Sequence, residues 1–304
     1  MDFKKILQQI YTETKPLAAK GKVADYIPSL SCVDPLKYGI TLQTVTKEVY
    51  GIGDHREPFS IQSISKVFSF AQAYGQLGVD IWQRLGREPS GTAFNSLIQL
   101  EHEKGFPRNP FINAGAIVIA DILVSIYKSP KDELLRYVRT LAGNDTIDYN
   151  TEVADSEHKT GHRNFALAHF MKSFGNIRNE VEDVLDLYFH QCSIEMCTDT
   201  LASSFLCFAN QGVNPHNGQA VLNASQTKRL NALMLTTGLY NESGDFAFRV
   251  GMPGKSGVGG GVVAVIPGHL SMACWSPALN EYGNSIASVE AMERFTTYTN
   301  LSVF

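Results

Sequence analysis

The chain has five cysteines (Cys32, Cys192, Cys197, Cys207 and Cys274), and no two of them form a Cys-x-x-Cys pair. Three of the five sit in or beside apolar, helix-like segments, where a free thiol acts as a small hydrophobe. The reading is a reduced, cytoplasmic protein without structural disulfides. Long apolar runs are missing as well. No stretch approaches the ~18 apolar residues of a spanning helix. Residues 1–20 carry Lys4, Lys5, Lys15 and Lys20 around no apolar core, unlike a signal peptide, so no membrane partner is expected. The formal net charge is −4 and no long basic run occurs. Phosphate backbones bind clustered Lys and Arg, which excludes nucleic acid as a partner. His158 and His162 are spaced i, i+4, but no Glu lies between them in the zincin pattern. They are read as solvated residues of a polar loop, and neither a metal nor a cofactor is expected.

What remains is enough chain for one large domain or two intimate lobes: 304 residues, 44% hydrophobic and 18% charged, a soluble globular composition. The stretch that organises it runs from Phe59 to Gly75. It starts polar and becomes an apolar helix pattern. Val67, Phe70, Ala71 and Tyr74 recur at i, i+3, i+4, i+7, which buries one face. Ser63 and Lys66 stand three apart at its start, a spacing that puts their Cβ atoms about 5–6 Å apart on one helix face. A hydroxyl beside an amine on a buried helix is the arrangement of a serine nucleophile with a lysine base. The helix N-terminus adds unpaired N–H groups and partial positive charge for a developing oxyanion. Ser-x-x-Lys is weak alone, since it recurs at Ser125–Lys128, Ser156–Lys159 and Ser225–Lys228. Context separates Ser63: a hairpin-like region precedes it, a buried helix follows it, and a Lys-Ser-Gly strand appears near the other end.

Residues 3–14 read as an amphipathic helix. Tyr38–Val45 and Glu48–Ile52 read as two strands joined at Thr46 and Lys47. From about Val79 to about Thr237 helix periodicity dominates: Phe94–Leu100, Ala114–Tyr127, Asp132–Ala142, Asn164–Phe174, Val181–Phe189, Thr200–Asn210 and Gln226–Met234. Phe246–Val250, Val258–Ile266 and Leu270–Trp275 return to strands, and 284–298 reads as a final helix. Strands from both ends must share one sheet, with a helix from each end packed on it. The expectation is a single domain over 1–304, with an α/β part at about 1–78 and 238–304 and a helical lobe at about 79–237. A site belongs in the groove between sheet and lobe.

Arg249–Gly261 reads Arg-Val-Gly-Met-Pro-Gly-Lys-Ser-Gly-Val-Gly-Gly-Gly. Lys255-Ser256-Gly257 opens a strand, and glycines running through a strand let another backbone or a ligand come close. Such a strand can pass the Ser63 helix and offer a backbone N–H. The alternative is a phosphate-binding glycine loop. The run precedes a strand rather than a helix and lacks the spacing of either phosphate-loop motif.

Ser-x-x-Lys, a helical insertion and then Lys-Ser-Gly on a strand is the motif order of the penicillin-recognising serine hydrolases. Together with Tyr26-Ile-Pro, Pro110-Phe-Ile-Asn113-Ala-Gly-Ala, Ser156-Glu157, Arg163-Asn164-Phe-Ala, Tyr188 and Gly238-Leu-Tyr240, it resembles the serine-dependent glutaminases from roughly Tyr26 to Trp275. The resemblance implies an α/β fold of the β-lactamase or penicillin-binding-protein type: an antiparallel sheet flanked by terminal helices, plus an inserted helical lobe. It also implies hydrolysis of L-glutamine to L-glutamate and ammonia. Carried onto matching positions, Ser63 is the nucleophile and Lys66 its base. Tyr26, Tyr188 and Tyr240 line the site, one of them relaying the proton, and Lys255 supports them. The backbone N–H groups of Ser63 and Val258 form the oxyanion hole. Asn113, Glu157, Asn164, Tyr188 and Tyr240 bind substrate. A homodimer or homotetramer is expected.

Elementary chemistry supports part of this. A buried substrate ammonium wants a carboxylate such as Glu157. A substrate carboxylate wants amide donors and a helix N-terminus, and Asn113 and Asn164 each stand where a helix begins. An Asn there is also an ordinary N-cap, and each Tyr an ordinary amphipathic core residue. A β-lactamase or transpeptidase would carry Ser-x-Asn or Tyr-x-Asn between the outer motifs. Here Tyr282–Asn284 and Tyr298–Asn300 come after Lys-Ser-Gly. A non-catalytic ligand-binding relative would have kept the pocket and lost turnover, and intact Ser63, Lys66 and Lys255 argue against it.

Overall fold

The computed structural model describes residues 1–25, 27–91 and 96–304. Tyr26 and the start of the helix expected over Phe94–Leu100 lie outside the described residues. In chain order the elements are α1 (Phe3–Thr14), β1 (Gly39–Thr44), β2 (Val49–Gly53), β3 (Phe59–Ser60), α2 (Ser65–Leu77), α3 (Leu97–His102), α4 (Asn113–Ile126) and α5 (Pro130–Ala142). There follow β4 (Asp148–Tyr149), α6 (Thr151–Thr160), α7 (His162–Ser173), α8 (Val181–Cys192), β5 (Ile194–Met196), α9 (Thr198–Ala209) and α10 (Ala224–Thr237). The chain closes with α11 (Ser243–Arg249), β6 (Gly254–Ser256), β7 (Gly261–Ile266), β8 (Leu270–Trp275) and α12 (Ile286–Thr299).

Five strands form one antiparallel sheet in the order β2-β1-β8-β7-β6. Gly39 lies opposite Trp275 and Thr44 opposite Leu270, so β1 and β8 unite the two ends of the chain as expected. Every residue of β7 and β8 is buried. Side chains alternate between the two faces of a strand. Val262, Ala264, Met272 and Cys274 pack with Leu7, Ile10, Met292 and Phe295 of α1 and α12. Val263, Val265, Ala273 and Trp275 join the core of the helical region. The sheet is thus a middle layer with an apolar layer on each side, which is why these strands read as continuous apolar runs.

Local chemistry explains several boundaries. The Asn223 side chain accepts from Gln226 N at 2.9 Å while Gln226 accepts from Asn223 N at 3.0 Å, a capping box for α10. α5 opens on Pro130 and stops at Gly143, which is left-handed at φ 64°. Among the described residues no helix is long and apolar enough to cross a membrane.

The structure corrects several expectations. α2 is buried all round from Ser65 to Tyr74, not on one face, because α4, α5 and α8 close around it. Phe246–Val250 is not a strand: Phe246–Arg249 belong to α11 and Val250 caps it. Phe246 is buried while Phe248 points to solvent, and Arg249 ties the helix end to Glu290 and Glu293 of α12. β7 starts at Gly261, and Gly257–Gly260 form the turn before it rather than the interior of a strand. A second small sheet, β3-β5-β4, was unforeseen. Its strands of two or three residues carry too little pattern to read.

Candidate active site

The nucleophile turn is built from backbone. β3 pairs with β5, and Ile61 N then donates to Ile194 O at 2.9 Å. The chain next makes a 3-10 turn, Gln62–Ile64, before α2 begins. Gln62 sits at φ 50°, a left-handed conformation that costs energy in a residue with a Cβ and that tends to mark functional turns. Its amide holds it there: Nε2 donates to Ser60 Oγ at 3.0 Å, and Ser60 Oγ donates to Cys192 O at 2.9 Å. Ser63 is therefore on the turn and Lys66 in the first turn of α2, both buried. Lys66 Nζ donates to Asn113 Oδ1 at 2.7 Å and to Phe111 O at 3.3 Å. Burial pushes this amine down to about 8, with Cys192 and Glu157 pulling it back up.

Against this turn lies the glycine segment. A Cβ on Gly257 would overlap the Ile61 carbonyl oxygen and stand 3.3 Å from Ser63 N; one on Gly259 would overlap the Ser60 carbonyl oxygen. The glycines thus permit the backbone-to-backbone approach that was expected, through a turn instead of a strand. Lys255, 1% exposed, donates to Ser256 O at 2.6 Å and lies 4.6 Å over the Tyr240 ring. Burial, and then the Lys66 charge, hold its amine well below the usual lysine range. Tyr240 is also left-handed, at φ 50°. Burial holds its phenol above the usual value against hydrogen bonds to Ser63 and Ser256. Burial likewise keeps the Tyr188 phenol well above its usual range. Both hydroxyls therefore stay protonated near neutral pH.

A cavity of about 380 Å³ opens here. Ser63, Asn113, Glu157, Asn164, Tyr188 and Val258 line it, while the buried Lys66 and Lys255 and the half-buried Tyr240 do not. Tyr26 lies outside the described residues. Asn113 is not a cap but the first residue of α4, and its Nδ2 donates to Asn164 Oδ1 at 3.0 Å. Glu157 lies on α6, an element the sequence reading missed, and burial pushes its carboxyl up to about 7 against a Gln62 hydrogen bond and the Lys66 charge. His158 is also on α6 rather than on a loop, with Nε2 3.5 Å from Glu182, and His162 opens α7. Gln62, Thr160, Gly161, Arg163 and Cys192 line the cavity too, and sequence reasoning missed them as site residues. Cys192 had a signal, being one helical turn after Tyr188 on α8. Thr160 and Gly161 had another, lying between Glu157 and Asn164.

A family model described as Glutaminase matches residues 21–304. The chain belongs to the glutaminase family. A glutaminase of Saccharophagus degradans is 56% identical over 304 residues, covering 100% of this chain and 99% of the relative. One from Agrobacterium fabrum is 53% identical over 306 residues, covering 100% and 99%. Among solved structures, a probable glutaminase, YbaS, matches with a TM-score of 0.94 at 35% identity, over 99% of this chain and 97% of that one. Mglu in its tris and glutamate form matches with a TM-score of 0.93 at 32% identity, over 100% of this chain and 68% of that one. The architecture of this glutaminase-family chain is thus the β-lactamase-like α/β fold expected from its motifs.

Proposed function

We propose that this chain hydrolyses L-glutamine to L-glutamate and ammonia through a γ-glutamyl ester on Ser63. The observation that carries the reading is the cavity. It joins a buried serine, one residue from a left-handed turn, to a buried carboxylate, with a lysine of value about 8 one helical turn from the serine. Family membership and the glutamate form of the relative Mglu support it. Glu157 takes the substrate ammonium. The amides of Asn113 and Asn164, with the N-terminus of α7, take the α-carboxylate. Ser63 Oγ then attacks the side-chain amide carbon. Its proton passes to Lys66 Nζ, with Tyr240 as the relay, and on to the departing ammonia. The negative oxygen is held by the backbone N–H groups of Ser63 and Val258. Water, giving its proton to Lys66, which passes it to the departing Ser63 Oγ, cleaves the ester and frees glutamate. Tyr188 and, by resemblance, Tyr26 complete the wall. Lys255 seats the Tyr240 ring. The proposal treats 1–304 as one catalytic unit, cytoplasmic and assembled as a homodimer or homotetramer.

Hydroxylamine added during turnover tests the central step. It is expected to intercept the ester as γ-glutamyl hydroxamate, and a glutamine-like electrophile to label Ser63 in peptide mass spectra. Ammonia release with no hydroxamate and no label on Ser63 would make direct attack by water the mechanism.

A further inference from the structure

We propose that Asn109 is a positioning residue for the reaction: it fixes the two acceptors that hold the Lys66 amine. The proposal rests on the reading of Lys66 as base. A lysine amine sits on a flexible four-carbon stem and has three rotatable N–H groups. To serve Ser63 it must keep one direction free for the serine proton, so its other directions must be tied down. Asn113 Oδ1 at 2.7 Å and Phe111 O at 3.3 Å do this, and both belong to the segment that leads into α4.

Asn109 shapes that segment. Its side chain is 1% exposed, and Oδ1 accepts from Phe111 N at 2.9 Å and Ile112 N at 3.1 Å. This closes a side-chain-to-backbone turn that fixes the plane of the Phe111 carbonyl and the start of α4. The other end of the amide, Nδ2, donates to Glu88 O at 2.9 Å. There Gly86 N donates to Pro107 O at 2.8 Å and Glu88 N to Arg108 O at 2.9 Å, so the two segments are laced together. Gly115 lets the same residue seat on α4, since a Cβ there would overlap the Asn109 carbonyl oxygen. Both ends of one buried amide are thus used to place the acceptors of one buried amine.

A positioning role leaves a mark that a scaffold role does not. Both acceptors bind the charged amine and so favour its protonated form. If the segment slackens, Lys66 loses its proton more easily and is aimed less well. kcat should fall, and its rising limb should move to lower pH. The titratable groups facing Lys66, namely Glu157 from α6, Tyr188 and Cys192 from α8 and Lys255 from β6, are unchanged by the substitution.

The experiment compares kcat and KM for glutamine from pH 6 to 10 in Asn109→Ala, Asn109→Ser and Lys66→Ala, with folding checked by circular dichroism and melting. A serine hydroxyl can still accept from the N–H two residues on. Asn109→Ala is expected to lose roughly 10–100-fold in kcat with the limb shifted to lower pH, and to raise KM as well, since Asn113 also lines the substrate cavity. Asn109→Ser should recover most of both. A folded Asn109→Ala with the parent rate and limb overturns the proposal. So does a serine variant no better than alanine, and so does the failure of both variants to fold, which leaves Asn109 a scaffold residue. Full activity in Lys66→Ala removes the underlying base reading instead, so the two failures are told apart.

Discussion

Replacing Glu157 by Gln keeps the shape of the side chain and deletes its charge. The group is buried, and burial raises its value from 4.5 to about 7, against a hydrogen bond from Gln62 and the charge of Lys66. If Glu157 receives the substrate ammonium, the ionised form is the one that binds. In the parent, kcat/KM should therefore fall as pH drops through 7, by about tenfold per pH unit well below it, as the ionised fraction does. Truncating one partner of a buried charge pair costs ~2–5 kcal/mol, or roughly 30- to 5,000-fold in kcat/KM. In the Gln variant the limb near pH 7 should vanish, leaving the rise near 8 that belongs to Lys66. Stability moves the other way. The folded value lies above the unfolded one, so the folded state holds the extra proton between about 4.5 and 7, and stability due to Glu157 is lost as pH rises through that window. The Gln variant should then melt no lower than the parent at pH 8. Initial rates of ammonia release across pH 5.5–9, with melting curves at each end, measure both effects. N-acetyl-glutamine, which has no ammonium, should be a poor substrate of the parent. A Gln variant that keeps the parent kcat/KM together with a limb near 7 would refute the assignment.

Lys66→Ala should lose about 10²–10⁴-fold in kcat if the amine is the general base, and parent kcat should climb as pH passes 8, where the amine sheds its proton. A variant with near-parent turnover would sink that role. Gly257→Ala places a methyl against the Ile61 carbonyl and should push the 257–260 turn away from Ser63. Displacement of that size can cost on the order of 10²-fold, read as kcat in a folded protein, and an unchanged kcat would show that the turn contributes nothing. Val258→Pro deletes one oxyanion donor and should cost ~2.7–4 kcal/mol of barrier. Retained single-turnover rates would rule that donor out.

Much of the framework was legible because long periodic segments announce themselves. The helices between Ala114 and Met234 other than α6, the β1–β2 hairpin and the meeting of strands from both ends followed from pattern alone. Ser63, Asn113, Glu157, Asn164, Tyr188 and Val258 were named through motifs that act as a set, and the cavity brings those six together. What was illegible depends on distant partners. α11 looked like a strand because Phe246 and Phe248 alternate, and its helix is held by ion pairs to α12. The strands β3, β4 and β5 exist only through one another. Gln62 gives no sign of its left-handed backbone, because β5, Cys192 and Glu157 impose it from other parts of the chain.

The partnership of β1 with β8 also sets an order of events at the ribosome. Residues up to Thr237 emerge first and contain nearly all of the helical core around α2 and α4. β1 must then wait for the chain as far as Trp275, with the edge it will offer to β8 unpaired in the meantime. The 257–260 turn arrives in the same late portion, so Ser63 is synthesised about two hundred residues before the backbone that faces it. The sheet therefore closes only once the late portion of the chain has been made, and the backbone that faces Ser63 comes with that portion.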